Sequence, residues 1–356
     1  MPYDRLEQVL ASRPLIYGLS LMTNPELLFV QCLDVHGGHR MAYWSWGDAT
    51  ASHVVVCAHG LSRQGRDFDV LARALCDRSQ QPIRVICPDV VGRGESDWLK
   101  EPKDYQIPTY ASDMLSLLAD LRPTQLDWVG TSMGGLIGMV LCGQPGLSLP
   151  VPIRRLILND VGPSINWEAI VRIGRYLGKA GRFESLEQAA AAMLEISATF
   201  GPHTHAQWLE LSRHMVKPVM PVNPVEQSKP FEAIKPIKPI QPIEPIQAEM
   251  PIRLDANAAG ALTLHYDPAI AISIRAITEA MAAQGESAVW QLYDNIHAQT
   301  LLLRGAESDL LTSATAAAMT QRGPKARLVE FAGVGHAPTL IADNQVDCVT
   351  QFLLDA

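Results

Sequence analysis

At 356 residues, 47% apolar and 19% charged, the chain has room for one large α/β domain with an insertion, or for two modest domains. Its formal net charge of −8 argues against nucleic acid and anionic membrane as partners. Six cysteines with no secretory signal beside them read as reduced thiols, and no segment approaches the roughly eighteen consecutive apolar residues of a membrane span, so a soluble, cytoplasmic protein is expected.

Residues 1 to 24 form an extension that assigns nothing. Leu27 to Val35 and Arg40 to Trp46 are β-rich runs around His36-Gly37-Gly38-His39, which predicts a hairpin. His53 to Ala58 is a continuous apolar run, as in a strand buried on both faces, and it ends in His59-Gly60-Leu61. A helical pattern covers Phe68 to Cys76. The next strand, Ile83 to Asp89, closes on Gly92-Arg93-Gly94-Glu95-Ser96-Asp97, a glycine turn too short for a phosphate loop. Tyr110 to Leu121 predicts a helix, and Leu126 onward a short apolar strand running into Gly130-Thr131-Ser132-Met133-Gly134. Arg154 to Pro163 holds another buried strand, after which the strand–helix alternation stops. It resumes with strands at Thr300 to Gly305 and Arg327 to Phe331, then a last helix over Asn344 to Leu354.

Such alternation predicts a mostly parallel, eight-stranded sheet with helices on both faces. The interruption predicts an inserted, mainly helical cap at residues 164–287, between core segments 1–163 and 288–356. Inside the cap, a proline-rich insertion at 217–251 carries a strict Ile-x-Pro triplet from Ile234 to Ile246. Proline at every third position excludes helix and central strand and favours an extended polyproline conformation. An extended excursion without catalytic part is the expectation; a stiff strap over the pocket mouth is the alternative.

Gly130 to Gly134 fits G-x-S-x-G, and the chemistry explains the glycines. A serine hydroxyl at the tip of a tight strand-to-helix turn needs neighbours without Cβ atoms so that strand and helix approach closely. Serine also needs a base, an acid to orient the base, and donors for an oxyanion. His336, in the loop Gly333-Val334-Gly335-His336 after the last strand, is the expected base. Asp309 is the expected acid, because its loop leaves the strand directly upstream of the His336 strand. Asp160, also at a strand end, is the alternative acid, with a structural role in binding loop N–H groups as its other reading. The oxyanion donors are expected from the Met133 and Leu61 amides. Arg63 and Trp98 are candidate substrate contacts, set against an ordinary surface ion pair and ordinary packing. No clustered His/Cys/Glu spacing calls for a metal, and the chemistry needs no cofactor.

His59-Gly60, Asp89 to Asp97, Gly130 to Gly134, Gly305 to Asp309 and Gly335-His336 occur in the order of the α/β-hydrolase landmarks, and the chain resembles that superfamily. Within it, the chain is similar to the esterase, enol-lactonase and meta-cleavage C–C hydrolase branch. Ser132 stands where haloalkane dehalogenases and epoxide hydrolases carry Asp, and Ala337 where C–C hydrolases usually carry Trp. The resemblance implies a serine hydrolase that cleaves a carboxylic ester, thioester or lactone through an acyl-enzyme on Ser132, with a small-molecule carbonyl substrate. C–C bond hydrolysis of a diketone and a non-catalytic small-molecule receptor are the alternatives.

Overall fold

A computed structural model describes residues 24–179, 181–219 and 262–355. Most of the expected N-terminal extension and the whole Ile-x-Pro repeat lie outside the described residues. In chain order the first elements are β1 (Glu26–Cys32), β2 (His39–Gly47), β3 (His53–Ala58), α1 (Asp69–Arg78), β4 (Arg84–Pro88) and α2 (Ile107–Leu121). Next come β5 (Gln125–Thr131), α3 (Met133–Gly143), β6 (Ile153–Asn159), α4 (Trp167–Tyr176), β7 (Arg182–Phe183), α5 (Leu186–Ile196), α6 (His205–Arg213) and β8 (Val216–Pro218). The chain closes with β9 (Leu262–Leu264), α7 (Ile270–Arg275), α8 (Glu279–Asp294), β10 (Gln299–Gly305), α9 (Ser313–Met319), β11 (Arg327–Phe331) and α10 (Asp343–Leu354).

Eight strands form the main sheet in the order β1-β2-β4-β3-β5-β6-β10-β11. β2 runs antiparallel to both β1 and β4, and every other neighbouring pair is parallel. β1 and β2 are the expected hairpin. The apolar run of β3 shows why the sheet needs cover on both sides. Val54, Val56 and Ala58 enter one core cluster while Val55 and Cys57 enter another, the period-two alternation of a strand with no solvated face.

The insertion is mainly helical but carries a three-stranded antiparallel sheet, β7-β9-β8. It has its own small core of Phe183, Ala189, Ala190, Met193, Trp208, Leu211 and Met215. Its helices start on polar side chains: Ser185 accepts from the Gln188 amide, and Thr204 and Gln207 make a reciprocal capping box. The 287/288 boundary expected from the sequence falls inside α8, a continuous helix that packs on α3. A Cβ at Gly143, the last residue of α3, would stand 1.9 Å from the Leu292 carbonyl oxygen, so the two helices touch backbone to backbone there.

Among the described residues no helix is long and apolar enough to cross a membrane.

Candidate active site

The register of the sheet brings the site together. β3 pairs with β5 so that Ala58 stands opposite Gly130, and β5 with β6 so that Thr131 stands opposite Asn159. The residues that leave those strand ends are His59-Gly60-Leu61, Ser132 and Asp160. Next come β10 and β11, whose trailing loops carry Ser308 and His336.

Ser132 has φ 52° and ψ −113°, the left-handed backbone of a tight elbow between β5 and α3. The flanking glycines are required by contact. A Cβ on Gly134 would lie 2.0 Å from the Ala58 carbonyl oxygen, and one on Gly130 would lie 2.4 Å from the Gly134 carbonyl. The elbow is pinned from both sides, by the Ser132 amide donating to Asn159 O at 3.0 Å and the Gly134 amide donating to His59 O at 3.1 Å.

His336 Nε2 lies 3.0 Å from Ser132 Oγ, and His336 Nδ1 lies 2.7 Å from Asp160 Oδ2. The acid beside the imidazole is thus Asp160, the alternative, and not Asp309, the residue expected from the sequence. The physical reason is position along the loop. Asp160 follows the last residue of β6 immediately, on the strand next to the Ser132 strand, whereas Asp309 comes four residues after the end of β10 with its side chain partly exposed. Asp160 is fully buried and left-handed at φ 56°; its Oδ1 accepts from the Gly305 amide at 2.9 Å and its Oδ2 also accepts from Ser308 Oγ at 2.6 Å. Asp309 is held instead by Arg172 of α4, which donates Nε to Oδ2 at 2.7 Å and Nη2 to Oδ1 at 2.9 Å.

The two residues whose amides are expected as oxyanion donors both lie next to Ser132 or to a neighbour of it. Met133 is the first residue of α3, where an N–H has no partner within its own helix. Leu61 follows Gly60, whose Cβ position would be 3.8 Å from Ser132 Cβ. Among the described residues neither amide donates to a protein acceptor. The Leu61 amide belongs to a peptide unit whose carbonyl, Gly60 O, accepts from His59 Nδ1 at 2.7 Å and from the Arg63 amide at 3.1 Å. His59 Nε2 accepts from the Val90 amide at 2.9 Å, which sets the tautomer with the proton on Nδ1. Burial holds this imidazole far below its ordinary range, at about 3, so it stays neutral. Behind it Arg93, fully buried, donates Nε to Leu61 O at 2.8 Å and places Nη2 3.4 Å from Met133 Sδ. The glycine turn after β4 is therefore packed against the elbow and its donor loop.

Three residues here were not legible as site residues. Asn159 Nδ2 donates to Thr131 Oγ1 and to Pro338 O, tying the elbow to the histidine loop. Ser308 was visible only as one polar residue in a polar loop. Thr199, in the cap, donates Oγ1 to His336 O at 3.0 Å and accepts from the Gly335 amide at 2.5 Å. No sequence signal marks Thr199, because its partners are backbone atoms more than a hundred residues away.

A cavity of about 340 Å³ opens onto Ser132 and His336 between core and cap. Its wall is largely apolar, with Ile173, Phe183, Met193, Ile196 and Phe200 contributed by the cap. Arg63 lines it, and its guanidinium makes the ion pair of its other reading, with Asp67 at 2.6 and 2.7 Å, together with a hydrogen bond to Leu211 O at 3.0 Å. Trp98 does not line the cavity; it is 46% exposed with the Lys217 ammonium 4.9 Å above its ring.

Two groups of potential metal ligands, Cys32/His39/Asp113 and Asp69/Glu210/His214, lie outside the cavity. In the first, both His39 nitrogens are hydrogen-bonded, to Asp34 and Asp113, and in the second Arg66 grips Asp69. All six cysteines are unpaired, and burial pushes the thiols of Cys76 and Cys142 up to about 11 and about 12.

Among known proteins, the chain is 42% identical over 336 residues to a 3-hydroxybutyrate-oligomer hydrolase of Cupriavidus necator, covering 94% of this chain and 100% of the relative. A solved α/β hydrolase from Novosphingobium aromaticivorans superposes with a TM-score of 0.70 at 29% identity, over 93% of this chain and 98% of the other. A putative hydrolase from Rickettsia typhi gives 0.71 at 25% identity, over 93% and 99%. The profile of the alpha/beta hydrolase family matches residues 55–347, most of the chain, and the chain belongs to that family.

Proposed function

We propose that the protein is a serine esterase that cleaves linear oligoesters of a short hydroxy acid through an acyl-enzyme on Ser132. The observation that carries this reading is the unbroken hydrogen-bonded chain Ser132–His336–Asp160, with the serine lining a mostly apolar cavity. The substrate class is supported by the Cupriavidus necator relative, a 3-hydroxybutyrate-oligomer hydrolase that aligns along its whole length.

The chemistry follows from the geometry. Ser132 Oγ attacks the ester carbonyl carbon as its proton passes to His336 Nε2, while Asp160 keeps the ring oriented and offsets the imidazolium charge. The carbonyl oxygen takes up negative charge facing the Leu61 and Met133 amides, each worth about 3 kcal/mol to the transition state. Collapse breaks the C–O bond, and the departing alkoxide takes the proton from His336. A water molecule, deprotonated by the same imidazole, then attacks the acyl-enzyme and regenerates Ser132 with release of the acid.

The test is hydrolysis of 3-hydroxybutyrate dimer and trimer, together with labelling of Ser132 by a fluorophosphonate. Ser132→Ala and His336→Ala should each abolish nearly all turnover, and the double variant should be scarcely worse than either, because the members act as a unit. Multiplicative losses would separate the two residues. A folded wild-type protein that neither takes the label nor cleaves any ester would point to the receptor alternative.

A further inference from the structure

In a chain carrying a formal net charge of −8, the cavity wall is lined by three cations, Arg63, Arg172 and Lys179, and by no Asp or Glu. Two of the three are already matched, Arg63 by Asp67 and Arg172 by Asp309. Lys179 is not: among the described residues no carboxylate lies within ion-pair distance of its ammonium, and its side chain has no hydrogen-bond acceptor. It is an exposed residue at the cavity wall.

The backbone that presents Lys179 is held firmly. α4 is followed by its capping residue Leu177, which is fully buried, and the chain turns through Gly178 at φ 73°. A Cβ at Gly178 would stand 2.6 Å from both Ala271 Cβ and Pro268 O, so only glycine fits, and the Gly178 amide donates to Tyr266 Oη at 3.1 Å. Arg275 closes the end of the helix by donating to Gly174 O and Leu177 O. One face of α4 therefore offers the cavity Arg172, Ile173 and Tyr176, followed at its end by Lys179. Burial raises the Tyr176 phenol, which stays a neutral hydroxyl. Arg172 gives Nε and Nη2 to Asp309, and its guanidinium also faces the Tyr176 phenol, where it partly offsets the rise from burial.

An ammonium with no carboxylate partner and a guanidinium on the same cavity wall, which among the described residues holds no Asp or Glu, suit one ligand group above others: a carboxylate. We infer that Lys179, assisted by Arg172, forms a subsite for the free carboxylate end of the oligoester, an inference that rests on the ester-hydrolase reading above. In a hydroxy-acid oligomer the free carboxylate lies on the alcohol side of every ester bond. The α4 wall thus receives the leaving-group side, and the acyl side lies toward the apolar cap residues. Bond making and breaking are unchanged: the departing alkoxide takes its proton from His336, and its carboxylate remains on the α4 wall until release.

The experiment compares kcat/KM for 3-hydroxybutyrate dimer as the free acid and as its methyl ester, in wild type, Lys179→Gln, Lys179→Glu and Asp309→Asn. Wild type should prefer the acid. Lys179→Gln should lower the acid-to-ester ratio roughly fivefold, carried by KM, the scale of one exposed charge pair. Lys179→Glu should lower it further, and Asp309→Asn, which removes the counter-charge of Arg172, should raise it. A wild type indifferent to the methyl cap, while Ser132 still takes a fluorophosphonate and both esters are cleaved, would overturn the subsite alone. An unchanged ratio in Lys179→Gln would do the same. Cleavage of neither ester, with Ser132 unlabelled, would overturn the hydrolase reading and the subsite with it.

Discussion

Two loops leave neighbouring strands at the same edge of the sheet, and each carries an aspartate. The loop after β6 turns at once, through a left-handed Asp160 that is fully buried and takes hydrogen bonds from Gly305, Ser308 and His336. In the loop after β10 the Asp309 side chain, 40% exposed, meets a cap arginine. Both follow a strand within a few residues and have a glycine nearby, so the sequence alone does not choose the acid. What distinguishes Asp160 is a set of donors arranged so that a buried carboxylate is satisfied and aimed. The loop after β10 serves it too, since Gly305 and Ser308 are among those donors. One loop supplies the charge and the other supplies its mounting.

The largest effect that tests this contrast is Asp160→Asn, which should lower kcat by about a thousandfold or more, because the amide favours the wrong imidazole tautomer. Asp309→Asn measured beside it should be far milder, and the reverse ranking would return the acid to the β10 loop.

His59→Gln separates the oxyanion side from the acid side. Losing the Nδ1 donor to Gly60 O should loosen the Leu61 amide and cost about ten- to a hundredfold in kcat with little change in KM. It should also flatten the dependence of stability on pH. The buried imidazole is held down to about 3 from an ordinary 6.5, so between those values the unfolded chain binds the extra proton. Stability is then complete above pH about 6.5 and is lost as pH falls toward 3. Urea denaturation midpoints at pH 7 and pH 4.5 should differ less in the variant than in wild type. His214 and His265, also lowered by burial, leave a residual slope in both proteins.

Ser308→Ala probes the mounting. Without its hydroxyl, Asp160 Oδ2 keeps only the imidazole, and kcat should fall several-fold, the scale of one charge-assisted hydrogen bond. The smallest effect is expected from Asp309→Asn on a neutral p-nitrophenyl ester, where kcat should stay within about threefold. A fall as large as that of Asp160→Asn would erase the distinction between the loops.

The sheet was readable from the chain because each strand is a local apolar run and each helix a local period. The positions of Ser132, His336 and the Leu61 and Met133 amides at one sheet edge were readable because short glycine motifs encode backbone turns, as at Gly130, Gly134 and Gly60. The acid was not, since Asp160 and Asp309 have the same local appearance and differ only in what other strands bring to them. Lys179 and Arg172 were hidden for the same reason. Their meaning depends on which carboxylates stand nearby, and the pairing of Arg172 with Asp309 spans 137 residues. The small cap sheet was legible only around Leu262-Thr263-Leu264, where the residues alternate; β7 has two residues and β8 three, too short to announce the partners of that strand.

Thr199 belongs to the inserted roof, yet both its hydroxyl and its carbonyl are bonded to the backbone that carries His336. Roof and base are thus one mechanical assembly rather than two exchangeable parts. Insertions above a conserved sheet invite treatment as cassettes, swapped to change what an enzyme accepts while the chemistry below runs on. Here a graft that altered the turn at residues 197–201 would disturb the machine along with its menu. Met193 and Ile196, on the preceding helix, face the same cavity without gripping the histidine loop, and they mark where the roof can be recut while its fastening is left alone.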